Sequence, residues 1–262
     1  MDQHFDLCII GTGSGNSILD DRFDDWNVAI VERGTFGGTC LNVGCIPSKM
    51  LIYPADIVEH VREGARLGID ATLDHVRWRD IRDRTFGRID PIAAGGRQYR
   101  IGLPNVTVFE EDARFVGPKT LQVGGEQITA DRFVLAAGAR AHVPPLPGLD
   151  LVPYDTSDTI MRIDEVPERL VILGGGFIAC EMAHVFDAFG SKVTIVVRGE
   201  GLLKQEDAEI AKRITDRLSE RMDVIRFATP MSVSMHDGAY LVEVDTPTGL
   251  VSVEADRLLV AT

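Results

Sequence analysis

The sequence lacks the features that would place it in a membrane or on a nucleic acid. It has no apolar run near the roughly 20 residues that cross a bilayer, and its first residues carry no secretory signal. Cations are scarce: 27 Lys and Arg stand against 40 Asp and Glu, which gives a net charge of −13 at pH 7. So acidic a chain is a poor partner for nucleic acid or an anionic membrane surface. We therefore expect a cytoplasmic protein with no nucleic-acid and no membrane partner.

Cysteine is also scarce, with 4 residues in the chain, but Cys40 and Cys45 lie close together. Because cytosolic thiols are kept reduced, a close pair there is more often catalytic or metal-binding than structural. A zinc site would need two further ligands. Cys8 and Cys180 fall in a predicted strand and a predicted helix, where a small buried residue is the expected role. We expect no metal site and a redox-active pair.

The chain is organised as two similar halves. A length of 262 residues is enough for two domains of about 150 residues. Each half has a strand, a glycine-rich turn, a helical crossover, a second strand, later short strands and a closing strand. This pattern predicts an α/β fold with two Rossmann-like dinucleotide-binding domains, each with a parallel sheet and a small antiparallel β-meander. The proline-rich residues 144–148 suggest a linker, so we place the domains at 1–149 and 150–262.

The first glycine turn, with Gly11 and Gly13, follows a predicted strand at residues 5–10. The N-terminus of a helix after such a turn offers unpaired N–H groups and a partial positive charge to a pyrophosphate. Glu32 closes the next strand, where a carboxylate accepts hydrogen bonds from ribose hydroxyls. The third glycine of the fingerprint is replaced by Asn16, with Gly15 beside it. These residues predict a nucleotide site rather than a purely structural turn.

The second turn contains Gly174 and Gly176, and the strand after it lacks the ribose-binding acid. Val197 stands where the first half has Glu32, and Arg198 and Lys204 follow. A carboxylate would repel a 2′-phosphate, whereas a cation pairs with it. The second site is therefore expected to prefer NADPH, unless both cations are ordinary solvated charges.

Residues 37–49 form the most specific stretch of the chain. Four residues separate Cys40 from Cys45, and Gly44 with the start of a helix supplies the bend that a small disulfide needs. The helix N-terminus is expected to lower the pKa of a thiol there, which favours the reactive thiolate. Lys49 adds a positive charge one helical turn beyond Cys45.

These motifs together resemble those of the pyridine nucleotide–disulfide oxidoreductases. The resemblance covers the whole chain, and within the family the chain looks most like the mycothione reductases. The segments that carry this closer resemblance are residues 11–20, with the unusual Asn16, and residues 35–49, 86–93 and 156–163.

The resemblance implies a role for each matching residue. FAD would occupy the first fold, with Gly11, Gly13 and Ser14 at the pyrophosphate. Cys45 would face the flavin as the charge-transfer thiol, and Cys40 would attack the substrate. Lys49 would lie near the flavin N5 and pair with Glu181. The remaining cofactor-binding assignments lie in the two glycine turns, in residues 37–49 (the redox loop) and just after the first closing strand. They are Gly15, Gly38, Thr39, Gly138, Phe177 and Ile178.

The implied reaction is the NADPH-linked, FAD-dependent reduction of a small-molecule disulfide, with mycothione converted to mycothiol. Members of the family are homodimers in which a partner histidine protonates the leaving thiol. Because that histidine belongs to an interface domain absent here, we expect the 262-residue chain not to complete turnover alone. Two alternatives remain at this point. One is a related glutathione-, mercuric- or dihydrolipoamide-type enzyme, and the other is a non-enzymatic nucleotide-binding redox sensor.

Overall fold

The computed structural model describes residues 3–262 and divides them into two compact units. The first unit comprises the described residues up to Pro47 together with Phe86–Arg140, and the second comprises Ser48–Thr85 and Ala141–Thr262. The helical residues 48–85 thus belong to the second unit. The domain boundary predicted after residue 149 stays a prediction.

The first unit is built on one six-stranded mixed sheet, in the order β3-β2-β1-β6-β5-β4. The strands are β1 (Gln3–Ile10), β2 (Val28–Val31), β3 (Val106–Phe109), β4 (Ala113–Gly117), β5 (Thr120–Val123) and β6 (Glu126–Leu135). β1, β2, β3 and β6 pair in parallel, and β4, β5 and β6 form the antiparallel meander. The closing strand expected in the first half is thus the end of β6, a ten-residue strand that belongs to both the parallel and the antiparallel part of the sheet.

Both faces of this sheet are covered by apolar side chains. One cluster contains Phe5, Cys8 and Leu121, and a second on the other face contains Leu7, Ile9 and Ile30. From Leu7 to Ile10 successive residues of β1 alternate between the two clusters, which is the expected geometry of a strand. The sheet therefore holds its strand ends, where the first glycine turn lies, in fixed positions.

The crossover between β1 and β2 differs from the helix that we expected. Only a 3-10 helix, Ser14–Ile18, and a further 3-10 turn, Asp21–Phe23, connect the two strands. Ser, Asn and Asp are frequent in this segment, and their side chains compete with the backbone for hydrogen bonds. Ser17 donates to the carbonyl of Ser14, and Asp20 accepts from the backbone N–H of Arg22. Local side-chain bonding thus replaces a regular α-helix.

Three α-helices lie between β2 and β3: α1 (Gly38–Asn42), α2 (Cys45–Glu63) and α3 (Trp78–Ile101). α2 and α3 contain Pro54 and Pro91 in their interiors. The start of α2 at Cys45 is important for the site, because it places one redox cysteine in the first turn of a helix.

The second unit contains two sheets. A parallel sheet has the order β13-β7-β8-β9, and an antiparallel sheet has the order β10-β11-β12. Their strands are β7 (Arg169–Leu173), β8 (Lys192–Val196), β9 (Asp223–Ile225), β10 (Thr229–His236), β11 (Ala239–Thr246), β12 (Gly249–Ala255) and β13 (Arg257–Val260). α4 (Phe177–Ala188) follows β7, and α5 (Ala208–Ser219) precedes β9. In this unit the antiparallel meander forms a separate sheet. The predicted α/β class, with parallel sheets and antiparallel meanders, is confirmed.

The proline-rich segment that we read as a linker is packed against the second unit. Leu146 and Leu149 are buried in its core, and the backbone N–H of Val233 donates to the carbonyl of Pro147 at 2.9 Å. A Cβ on Gly148 would come within 2.0 Å of the carbonyl oxygen of Val233. These residues are therefore part of the packed unit, because their apolar side chains complete its core.

Candidate functional site

The first glycine turn brings the backbone of two strand ends into close contact. Gly11 has φ +105°, and a Cβ there would lie 2.2 Å from the carbonyl oxygen of Ala136. At Gly15 a Cβ would lie 2.1 Å from the Cβ of Ala136. Side chains at these positions would collide with the end of β6. Gly15 therefore makes the close approach that the fingerprint assigns to its third glycine, although Asn16 stands in that glycine's place.

Glu32 is fixed against the first turn by three hydrogen bonds. Its Oε2 accepts from the backbone N–H of Thr12 at 3.0 Å and from the Thr12 hydroxyl at 2.7 Å. Its Oε1 accepts from the backbone N–H of Gly34 at 2.8 Å. The carboxylate is thus held at the end of β2, beside the turn, where a nucleotide ribose would reach it.

The redox loop packs onto the same glycine turn. A Cβ on Gly38 would lie 2.5 Å from the Cα of Gly13, so the two backbones touch. Asn42 is buried, and its Nδ2 donates to the carbonyls of Phe36 at 2.8 Å and Gly38 at 3.0 Å. Asn42 therefore braces residues 36–42, which include Cys40, while Gly38 makes the contact with the turn.

Cys40 and Cys45 are both exposed thiols that interact with each other. A hydrogen bond from the Cys40 thiol to the Cys45 sulfur raises the pKa of Cys40, with smaller contributions from desolvation and the Cys45 charge. Backbone N–H groups of Cys45 and Ile46 act in the opposite direction, but they do not prevail. Cys40 is therefore the proton donor of the pair. The lowered pKa expected for a thiol at the start of a helix stays a prediction.

One cavity of about 860 Å³ in the first unit is lined by this set of residues. It brings together ten of the residues that the sequence singled out: Gly11, Gly13, Ser14, Gly15, Glu32, Gly38, Thr39, Cys40, Cys45 and Gly138. Its volume lies within the usual range for small-molecule and cofactor sites. The first turn and the redox pair thus face a common space.

The second glycine turn repeats the geometry of the first. Gly174 has φ +129°, and a Cβ there would lie 2.1 Å from the carbonyl oxygen of Ala261. A Cβ on Gly175 would lie 2.6 Å from Cγ2 of the buried Val197. An apolar side chain therefore occupies the place that Glu32 takes in the first turn. Gly176 precedes α4, whose first residues are Phe177 and Ile178.

The remaining predicted residues of the second unit lie around this turn and on α2. Lys49, in the second turn of α2, donates to Glu181 on α4, as the resemblance implies. Phe177 is 66% exposed at the start of α4. Arg198 and Lys204 are exposed in the loop after β8. Each unit therefore carries its predicted cofactor-binding residues around its own glycine turn.

Metal clusters and membrane-spanning helices are both absent from the described residues, 3–262. No group of three or more His, Cys, Asp or Glu in this part of the chain is arranged to hold a metal ion. No helix within the same range is long and apolar enough to cross a bilayer.

Comparison with known proteins assigns the chain to a family. The family model for pyridine nucleotide-disulphide oxidoreductases matches residues 5–262. The chain belongs to this family. It is 46% identical, over 99% of its length, to a mycothione reductase of Mycobacterium tuberculosis (strain CDC 1551 / Oshkosh), and 34% identical, over 98%, to a mercuric reductase of Bacillus cereus. It spans 57% and 41% of the lengths of these two relatives.

Solved structures give the same assignment. The HOCl-induced flavoprotein disulfide reductase RclA from Escherichia coli matches 98% of this chain with a TM-score of 0.82 and 30% identity, and 56% of the RclA chain is covered. The predicted family, the resemblance to mycothione reductases and the α/β fold are confirmed by these matches.

Sequence reasoning missed two residues of this oxidoreductase site. Thr12 holds Glu32 with both its backbone and its hydroxyl, and the available signal was a hydroxyl residue between two turn glycines. Asn42 braces its own loop through the carbonyls of Phe36 and Gly38, and the signal was an amide between the two cysteines. The role of Thr12 does not follow from spacing, because it depends on a partner that only folding brings near.

Proposed function

We propose that this protein is an FAD-dependent, NADPH-linked reductase of a low-molecular-weight disulfide, and that its substrate is mycothione. The observation that carries the proposal is the common cavity in the first unit, which Cys40 and Cys45 line together with the first glycine turn and Glu32. A nucleotide site and a dithiol in one cavity are what electron transfer from a flavin to a disulfide requires. The 46% identity to a mycothione reductase supports the choice of substrate.

The residues of the first unit fit FAD. The first glycine turn presents backbone in place of side chains, and Glu32 stands at the end of β2 for the ribose. Gly11, Gly13 and Ser14 would hold the pyrophosphate, with Gly15, Gly38, Thr39 and Gly138 lining the same space. When bound, the flavin would carry two electrons from the nicotinamide to the Cys40–Cys45 disulfide.

The second unit would bind the reductant. Gly174, Gly176 and the start of α4, at Phe177 and Ile178, form its glycine turn. Val197 packs against this turn, so no carboxylate lies there to repel a 2′-phosphate. The exposed cations Arg198 and Lys204 support NADPH over NADH.

The cysteines would reduce the substrate by two thiol–disulfide exchanges. The Cys40 thiolate attacks one sulfur of the substrate disulfide, forms a mixed disulfide and releases the first thiol. The Cys45 thiolate then attacks the Cys40 sulfur, releases the second thiol and leaves a Cys40–Cys45 disulfide. Two electrons from NADPH restore the dithiol. The hydrogen bond from Cys40 to Cys45 supports this division of roles, because it marks the Cys45 sulfur as the acceptor.

Lys49 and Glu181 would set the charge beside the flavin. Lys49 lies one helical turn beyond Cys45 on α2, and Glu181 holds its ammonium in place. A positioned cation stabilises negative charge that develops on reduction. We further propose a homodimer, whose partner subunit would protonate the leaving thiol, and a cytosolic location, where a redox dithiol finds a reducing environment.

An anaerobic NADPH titration followed by visible spectroscopy tests this proposal. The reduced protein is expected to show a long-wavelength charge-transfer band, because the Cys45 thiolate would donate to the flavin. The band is expected to disappear in Cys45→Ser and to persist in Cys40→Ser. Cys180→Ser is the matched control for loss of a thiol and should leave the spectrum unchanged. A spectrum that stays that of oxidised flavin after NADPH addition would remove the proposal.

A further inference from the structure

The carboxyl ends of β8 and β9 bring a third cation to the second glycine turn. These strands are parallel neighbours, with Val196 opposite Ile225, and the backbone N–H of Val197 donates to the carbonyl of Ile225 at 3.0 Å. Arg226 therefore follows β9 at the same edge of the sheet where Arg198 follows Val197. In this register Arg226 is level with Val197, one residue before Arg198. Neighbouring strands lie about 4.8 Å apart, so the two arginines are diagonal neighbours across the strand ends.

Backbone hydrogen bonds hold the two loops together beyond the strand ends. The N–H of Phe227 donates to the carbonyl of Gly199 at 2.9 Å, and that of Ala228 donates to the carbonyl of Val197 at 3.0 Å. These bonds bracket Arg198 and Arg226. The position of Arg226 beside Arg198 is thus set by the sheet and by the loop contact.

The same loop carries Lys204 back to the glycine turn. The N–H of Leu203 donates to the carbonyl of Gly175 at 2.7 Å, and the N–H of Leu202 donates to the Thr215 hydroxyl at 2.9 Å. Lys204 therefore follows a residue bonded directly to the turn. Arg198 and Lys204 thus flank the glycine turn, and Arg226 lies in the loop next to that of Arg198.

No salt bridge to a described residue neutralises the charges of these three side chains. Arg198, Lys204 and Arg226 are exposed, and none has a salt bridge to a described residue. Glu200 and Glu206 share the loop with two of them, but neither forms a salt bridge within residues 3–262. By contrast, Arg169, Arg221 and Arg257 of the same unit all have carboxylate partners. Neighbouring like charges repel, and a bound anion relieves that repulsion.

We infer that Arg226 is a further specificity-determining residue, which contacts the 2′-phosphate of NADPH together with Arg198 and Lys204. The inference rests on the proposed NADPH-linked function and names a residue that the sequence pattern did not single out. Arg226 suits a 2′-phosphate because its guanidinium presents two donors to adjacent phosphate oxygens. A nucleotide without the 2′-phosphate would not need it.

Binding of 2′,5′-ADP and 5′-ADP to the purified protein, measured by titration calorimetry, tests the inference. Arg226→Gln is expected to weaken 2′,5′-ADP binding about tenfold, as loss of a charge-assisted hydrogen bond does, and to change 5′-ADP binding less than about twofold. Arg226→Lys keeps the charge and should retain part of the affinity. Lys192→Gln is the matched control, since it removes an exposed, unpaired cation from the opposite end of β8.

The possible outcomes separate the inference from the proposed function. If the unaltered protein binds 2′,5′-ADP no better than 5′-ADP, the NADPH-linked function fails and the inference fails with it. If the unaltered protein prefers 2′,5′-ADP but Arg226→Gln behaves like Lys192→Gln, the inference alone is overturned. A selective loss in Arg226→Gln supports both.

Discussion

At the scale of single residues, the Cys40 thiol shows how a neighbour overrides position. The start of a helix favours a thiolate, yet the hydrogen bond to Cys45 raises the pKa of Cys40. The pKa values of the other two cysteines are raised for a different reason. Desolvation alone raises the pKa of the buried Cys8 to about 12, and it is the main reason that the pKa of the half-buried Cys180 is raised to about 11. Only the redox pair combines exposure with a sulfur partner, which is why it can exchange with a substrate.

The raised pKa of Cys40 depends on the Cys45 sulfur. In Cys45→Ala the hydrogen bond that raises it is absent, so the pKa of Cys40 should fall and its thiolate should appear at lower pH. The measurement is the pH dependence of iodoacetamide alkylation of Cys40 in the reduced protein, read by mass spectrometry. Cys8 and Cys180 should remain unmodified near pH 7 and serve as internal controls. An unchanged midpoint for Cys40 in Cys45→Ala would contradict the assigned hydrogen bond.

At the scale of secondary-structure elements, ionic and polar contacts join α2 and α4 along their length. Lys49 contacts Glu181 near the N-termini of the two helices, and Asp56 accepts from His184 at 2.8 Å further along. At the far end Arg62 donates to the carbonyl of Ala188 at 3.0 Å. The contacts advance in the same direction on both helices, so the helices are parallel. This pairing fixes the orientation of the Lys49–Glu181 contact.

Arg221, just after α5, lies at the centre of the contacts at the far end. It pairs with Asp187 on α4 and with Glu59 on α2, the latter at 3.1 Å, and donates to His184 Nδ1 at 3.3 Å. The Asp187 and Glu59 side chains are only 13% and 14% exposed. Arg221→Met should therefore cost about 3 kcal/mol of unfolding free energy, the lower end for a broken buried ion pair, because Arg62 is then the remaining cation for two poorly solvated carboxylates.

Thermal unfolding checks this value, with an expected fall in midpoint of roughly 6–12 °C. Arg213→Met is the matched control: its partner Glu209 lies on the same helix and both side chains are exposed. The control should change stability by less than about 0.5 kcal/mol. Equal effects of the two substitutions would show that the far-end contacts are not a stabilising network.

At the scale of the whole molecule, the two halves contain the same strand and glycine-turn motif, but different side chains face the two turns. Gly11 and Gly174 abut the carbonyls of Ala136 and Ala261 in the same way. The residues that face the two turns differ, with Glu32 hydrogen-bonded at the first and Val197 packed at the second. In the proposed function the repeat would supply two nucleotide sites, and the residues that face the turns would decide which nucleotide each one takes. Nothing in the repeated fold chooses among disulfide substrates.

Substrate preference therefore needs a direct comparison. We expect the enzyme to reduce mycothione with NADPH at least about tenfold more efficiently, in kcat/KM, than glutathione disulfide or oxidised trypanothione. The physical reason is that small-molecule specificity depends on contacts around the proposed redox pair, and the chain is 46% identical to a mycothione reductase. Comparable turnover of all three disulfides would remove the mycothione assignment while leaving a disulfide reductase.

Much of this protein follows from its sequence alone. Alternation and apolar runs located the strands, the glycines located both turns, and the spacing of Cys40 and Cys45 singled out the proposed redox pair. These features are local: a glycine with φ near +105° at position 11, or two cysteines that close a small loop, is constrained by its immediate neighbours in the chain.

Tertiary structure decided what depends on partners distant in sequence. It replaced the helix after the first turn by a 3-10 helix, packed residues 144–148 into the second unit, and joined the first meander to the main sheet. It also bonded Thr12 to Glu32 and placed Arg226 beside Arg198. A hydrogen bond or packing contact across tens of residues leaves no periodic trace in the sequence, because its geometry exists only when the strands have paired.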